Sequence, residues 1–317
     1  MKSNVDRREF AKSISTAIAA LSTASLNLSA APKAAPPPAR LSVHLFSKMI
    51  QFLDYKDMSA AAADMGFDGL DLTVRPGGHV EPAKVQTDLP RAVNAMKRHG
   101  LSARLMTTAI TDIETLNARA TLSVAASQGI EAYRTGWYRY DEPIDWKANL
   151  DRIRNKLTEI EAVNKELGIH GGYQNHSGNF VGALTSDIAY LLHGSDPDWL
   201  GCQFDIRHAT VEGGLAWPLA LKILRNNIRT IIIKDFKWVE KNGRQVVVNT
   251  PMGEGVVQFK SYFKMLRELN LNPIISFHAE YLPSWKKVKP AQHEGIFAEL
   301  KSDLQTFHRV WQESTEA

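Results

Sequence analysis

The chain has 317 residues, enough for one large α/β domain. Apolar residues make up 44% and charged residues 23%, which excludes disorder except in local segments. A net charge of +4 without a Lys/Arg-rich run excludes a nucleic-acid stripe, and a single cysteine, Cys202, excludes an internal disulfide and any Cys-based zinc motif.

The charge reads as a solvated surface. Cys202 adjoins an apolar strand and reads as a small buried hydrophobe.

Residues 1–40 read as an export signal and an Ala/Pro-rich linker. The pair Arg7-Arg8 is followed by Phe10 and Lys12, and then by a mildly apolar run from Ile14 to Leu28. That run is too short and too polar to span a membrane, which takes about 20 strongly apolar residues. The segment resembles a twin-arginine signal, with small residues near Ala30 or Ala35 suited to cleavage. The expected location is the periplasm, with no membrane span anywhere in the chain.

Residues 41–317 read as one domain of eight strand–helix units. The predicted strands are Leu41–Ser47, Gly69–Val74, Ser102–Thr108, Ala132–Trp137, Ile169–His176, Leu200–His208, Arg229–Phe236 and Pro273–Tyr281. The predicted helices are Asp54–Met65, Asp88–His99, Ile113–Gln128, Trp146–Leu167, Ser186–His193, Trp217–Leu224, Phe259–Leu269 and His293–Trp311. Each of the first five ends in a glycine, the usual C-terminal stop. Eight alternations of this kind predict an α/β fold of the closed (β/α)8 TIM-barrel class. An open doubly wound sheet would need a Gly-rich loop after the first strand, where Phe46-Ser47-Lys48 stands instead. An insertion at Trp238–Pro251 carries Asn242-Gly243 between apolar runs, a hairpin signal.

In such a barrel the chemistry sits at the C-terminal ends of the strands. Those ends are unusually polar: Asp71-Leu72-Thr73-Val74-Arg75, Gln174-Asn175-His176, Asp205-Ile206-Arg207-His208, Lys234-Asp235 and His278-Ala279-Glu280. Strand alternation puts Gln174 with His176, His278 with Glu280, and Asp71 with Thr73 and Arg75. The opposite parity, Leu70, Leu72, Val74, Ile275, Phe277 and Ala279, would face the helices.

Tyr173-Gln174-Asn175-His176-Ser177-Gly178, Asp205-Ile206-Arg207-His208-Ala209, Pro251-Met252-Gly253-Glu254-Gly255 and Phe67-Asp68-Gly69-Leu70-Asp71-Leu72 resemble signatures of the sugar phosphate isomerase/epimerase family. Its barrel is the xylose-isomerase type, and the resemblance spans Leu41 to Tyr281. It implies a divalent metal (Mn, Co, Mg or Zn) held by strand-end carboxylates. Asp205 and Glu280 would be ligands, His208 would touch substrate, and Gln174 stands where the family has Glu. The usual seventh-strand ligand falls near Ile232, which cannot bind metal; the expected site binds metal weakly, binds it through His176 or His278 instead, or has lost it.

Glu280 is then the expected base for removing a proton next to a carbonyl, with His208, His176 and Lys234 as acid or oxyanion partners. Lys234 with Asp235 also reads as a plain ion pair on the rim. His79 follows two glycines that let its loop approach a ligand. Arg134, Trp137, Asn175 and Trp238 are the expected sugar contacts, the tryptophans reading equally well as core.

The expected partner is a small non-phosphorylated sugar, keto-sugar or 3-keto-glycoside, undergoing isomerisation, epimerisation or β-elimination; assembly into a homo-oligomer is open. Two other readings compete. One is an exported carbohydrate-binding protein that has lost metal and catalysis. The other is an endonuclease-like DNA-repair barrel, which would need a trinuclear zinc cluster and a basic groove.

Overall fold

The computed structural model describes residues 40–115 and 117–315. Except for Arg40, the predicted export segment lies outside the described residues. Among the described residues no helix is long and apolar enough to cross a membrane.

Eight parallel strands close a barrel: β1 Val43–Phe46, β2 Gly69–Thr73, β3 Ser102–Thr107, β4 Ala132–Arg134, β5 His170–Gln174, β6 Leu200–Asp205, β7 Ile228–Ile233 and β10 Ile274–Phe277. Around the ring they run β1-β10-β7-β6-β5-β4-β3-β2. The remaining strands, β8 Asp235–Lys241 and β9 Arg244–Thr250, form the antiparallel hairpin after β7. Its tip has Asn242 at φ 54° and Gly243 at φ 70°, the two positive values that a type I′ turn demands.

The helices are α1 Tyr55–Met65, α2 Val85–Arg98, α3 Ala118–Ser127, α4 Trp146–Leu167, α5 Thr185–Leu191, α6 Ile206–Gly213, α7 Trp217–Leu224, α8 Phe259–Glu268 and α9 His293–Glu313. Their starts follow local chemistry: Asp54 caps α1 through the Asp57 N–H, and Asp145 caps α4 through the Ala148 N–H. The α1 and α4 ends turn at Gly66 and Gly168, at φ 94° and 69°.

The apolar core lies between strands and helices and contains Leu70, Leu72, Val74, Ile275, Phe277 and Ala279, the outward parity expected from the sequence. Inside the barrel a separate apolar cluster of Leu105, Ala132 and Ile274 is followed by a polar layer. There the Asp71 carboxylate accepts from Thr107 Oγ1 at 3.0 Å and Ser276 Oγ at 2.6 Å, and burial pushes its pKa up to about 6.

All eight barrel strands end sooner than predicted, and three of these early ends shape the mouth. β6 stops at Asp205 because its carboxylate accepts the His208 N–H at 3.0 Å and starts α6, so His208 is helical rather than on a strand. β7 stops at Ile233, and the chain turns into the hairpin at Asp235. β10 stops at Phe277, placing His278 and Glu280 on the loop above it. The predicted third helix begins five residues late, at Ala118 instead of Ile113.

Candidate active site

The polar strand ends converge at one mouth of the barrel. A cavity of about 40 Å³ is lined by Phe46, Lys48, Arg75, Arg134, Trp137, Gln174, His176, Lys234, His278 and Glu280. Beside it lies a wider cavity of about 330 Å³ formed by Lys48, Met49, Asn249, Glu280 and residues 282–285, so Glu280 and Lys48 belong to both.

Lys234 is the centre of the arrangement. Strand alternation turns its side chain inward and it is 4% exposed, too little for a rim residue. Its Nζ lies 3.0 Å from Asp205 Oδ2, 2.9 Å from His208 Nε2 and 3.4 Å from Glu280 Oε2. Asp235 points the other way and holds the 253–257 turn, so the rim ion pair with Lys234 is not formed.

Glu280 is partly open to the mouth. Burial pushes its pKa up, but the charge of Lys234, the polar contact with His278 and the charge of Lys48 outweigh that and hold it well below the usual carboxylate range. It is therefore ionised at neutral pH.

His208 is pinned between cations. Its Nε2 faces Lys234, while Nδ1 lies 2.6 Å from Ser177 Oγ and 3.0 Å from Arg207 Nη1. Burial, then Lys234, His176 and Arg207, drive its pKa well down, so the ring is neutral. It sits behind the cavity rather than lining it. His176 does line the cavity, packed on Trp137 and 4.0 Å from the His208 ring, and burial followed by Lys234 lowers its pKa too.

Arg134 is held in place by its neighbours. Its guanidinium lies 3.9 Å over the Trp137 ring and donates to Thr108 O at 2.9 Å and Gln174 Oε1 at 3.3 Å. Asn175 instead serves the scaffold: it accepts the Asp205 N–H and donates to the Asp205 carbonyl, tying β5 to β6. Trp238 is exposed on the hairpin against Phe236 and lines neither cavity. His79 also lies outside both, its Nδ1 3.1 Å from Ser47 Oγ.

The ligand set expected for a divalent ion does not fit one. Gln174 turns its amide nitrogen toward Asp205, donating to Oδ2 at 2.7 Å, while its oxygen is taken by Arg134. His278 stacks flat on Phe46 at 4.0 Å and places Nε2 against Ser276 Oγ. Ile232, paired in register with Asp205, offers no donor atom. Among the described residues no group of three or more His, Cys, Asp or Glu is placed to hold a metal.

Sequence reasoning missed Phe46, Lys48 and Arg75 as lining residues. For Arg75 a signal was present, since it shares its face with Asp71 and Thr73. Lys48 carried none, because the short turn after β1 sets its direction, and Phe46, the last residue of β1, read only as an apolar strand residue.

Comparisons with known proteins agree with this architecture. A search of curated protein sequences gives no match. L-ribulose 3-epimerase superposes with a TM-score of 0.66 at 14% identity, covering 88% of this chain and 96% of that one. The apo form of 3-keto-D-glucoside 4-epimerase from E. coli gives 0.64 at 14% identity, covering 85% and 100%. A xylose isomerase-like TIM barrel protein from Mycobacterium smegmatis in complex with magnesium gives 0.65 at 13% identity, covering 86% and 97%. At such identities the likeness shows the fold alone. The family described as xylose isomerase-like TIM barrel matches residues 59–296, and the chain belongs to that family.

Proposed function

We propose that the protein is an isomerase- or epimerase-type enzyme that removes a proton next to the carbonyl of a non-phosphorylated sugar, keto-sugar or 3-keto-glycoside. The observation that carries this reading is the Lys234–Glu280 pair at the mouth, a base and a cation 3.4 Å apart. Glu280 takes the proton from carbon, and the electron pair moves onto the carbonyl oxygen, where positive charge stabilises the enediolate. The Lys234 contact with Glu280 is long; as the ammonium turns to the oxygen, Glu280 becomes more basic.

The same intermediate serves isomerisation, epimerisation and β-elimination, which differ only in where the proton returns or whether a leaving group departs. The sugar ring would enter from the wider cavity, where Trp285 and Asn249 stand beside Glu280. Arg134 on Trp137 would orient its hydroxyls. The resemblance of residues 1–40 to a twin-arginine signal supports action outside the cytoplasm on free sugars or glycosides, by a barrel beginning near residue 41.

A carbohydrate-binding protein without catalysis is the second reading, supported by the loss of donors at Gln174 and Ile232. Both readings meet the same experiment. Keto-sugars and 3-keto-glycosides are incubated with the protein in D2O, and exchange of the proton α to the carbonyl is followed by NMR. Exchange that disappears in Glu280→Gln supports the enzyme. Saturable binding without exchange across the panel leaves the binding protein.

A further inference from the structure

The carboxylates of Asp205 and Glu280 close on one point from β6 and from the loop after β10, and that point is filled by the Lys234 ammonium. Around it the donors are arranged for a cation that itself donates hydrogen bonds. Asp205 Oδ2 receives Lys234 at 3.0 Å and the Gln174 amide at 2.7 Å, so the oxygen that would face a metal is already shared by two N–H groups. The acceptor of Gln174 is committed to Arg134. Ile232, beside Asp205 in the barrel, is fully buried, as is Asp205 itself.

Charge gives the same answer. Gln at 174 and Ile at 232 leave Asp205 and Glu280 as the two carboxylates in contact with the ammonium, and Arg134 adds a second positive charge nearby. A dication brought to the same point would meet the ammonium at contact distance, and the remaining negative charge is too small to hold both.

We propose that the Lys234 ammonium stands in the place of the divalent ion and supplies its charge, so that the barrel works without a metal. Within the function proposed above, Lys234 is then the group that meets the developing oxyanion. The ammonium donates a hydrogen bond to that oxygen and takes it back as the carbonyl re-forms, with no other reactant needed. The metal-binding half of the proposal does not depend on that function.

The test is Mn2+ titration of the purified full chain, counting free Mn2+ by its EPR signal, with thermal melts in parallel. The unaltered protein is expected to take up none at micromolar free Mn2+ and to melt at the same temperature with and without it. One tightly bound equivalent would overturn the proposal. In the double variant Gln174→Glu, Lys234→Ala, the ammonium is removed and a third carboxylate restored. It is expected to bind one Mn2+ at least 100-fold more tightly than the parent and to melt higher when loaded. A folded double variant that binds no better than the parent would overturn the substitution; if it does not fold, the titration of the unaltered chain decides. Where α-proton exchange is found, a chelator should leave its rate unchanged, and loss restored by added metal would again overturn the proposal. Absence of exchange would count against the proposed reaction alone, since the Mn2+ titrations read the site directly.

Discussion

The Asp235 carboxylate accepts the backbone N–H of Gly255 at 3.0 Å, one of four contacts that hold the chain as it leaves the barrel after β7. The same carboxylate accepts the N–H groups of Phe236, Gly253 and Val257. Burial pushes the Asp235 pKa up, and these four bonds oppose that. The turn at Pro251-Met252-Gly253-Glu254-Gly255 is thereby tied under the hairpin, and Lys234, next in the chain, is turned to the opposite face. A Cβ at position 255 would stand 2.2 Å from both Asp235 Oδ1 and the Phe236 carbonyl oxygen. Gly255→Ala is therefore expected to lower stability by about 1–3 kcal/mol, the usual cost of forced overpacking. A urea midpoint equal to that of the parent would sink this account of the turn.

Asp205 combines three duties: it caps α6, balances Lys234 and receives Gln174. Asp205→Ala removes all three and leaves a buried ammonium with one carboxylate, that of Glu280 at 3.4 Å. The expected loss is about 3–5 kcal/mol, the range for breaking a buried ion pair. Asp205→Asn keeps an oxygen for the cap and should cost less than the alanine variant. Equal losses in the two, measured by denaturant unfolding, would show that the cap contributes nothing.

Much of the barrel was legible in the sequence because its signals are local. Asp54 and Asp145 start helices, Gly66 and Gly168 end them, and alternation separated Leu70 and Leu72 from Asp71. The hairpin was read from Asn242-Gly243 between two apolar runs. Strand ends were overrun where a side chain, not the periodicity, stops the strand: Asp205-Ile206-Arg207-His208 continues the apolar–polar pattern, yet the Asp205 cap turns it into a helix. At the site, the residue types were visible but not their partners. Nothing local to Gln174 reveals that its nitrogen faces Asp205 and its oxygen Arg134; that follows from barrel closure.

Acid sensitivity should come from the buried histidines, at the mouth (His278) as well as away from it (His44 and His170). Burial, the largest cause in each, lowers His44 and His170 to about 4. An unfolded histidine titrates near ~6.5, so between about pH 4 and 6.5 the unfolded chain binds more protons than the folded one. Stability must then rise with pH through that window, by up to about 3 kcal/mol for each ring. Asp71 and Asp303, raised to about 6 by burial, act in the opposite sense: they hold protons when folded and lower stability as pH rises from their unfolded values toward 6. His44→Gln should flatten the rise between pH 5 and 6.5 while leaving stability near pH 8 less affected. An unchanged slope in chemical denaturation across that range would assign the sensitivity elsewhere.

The identity of the base is open to a pH profile. Glu280 is held well below the usual carboxylate range, burial being outweighed by Lys234, His278 and Lys48, so it stays ionised at pH 5. His176 is lowered, and His208 lowered well below its ordinary value, by burial and then by Lys234. With a substrate that shows α-proton exchange, kcat/KM is therefore expected to be flat from pH 7 down to about 5, the lower limit being where a Glu such as this one remains ionised. Glu280→Gln should remove at least about 1000-fold of the rate, consistent with loss of a positioned general base. Glu280→Asp draws the carboxylate back toward its own backbone in the loop after β10 and should retain a measurable part, with kcat affected more than KM. An acid limb near pH 6 that persists in Glu280→Asp would move the role of base from Glu280 to His176, which lines the cavity; His278 lines it too but is lowered by burial to about 4.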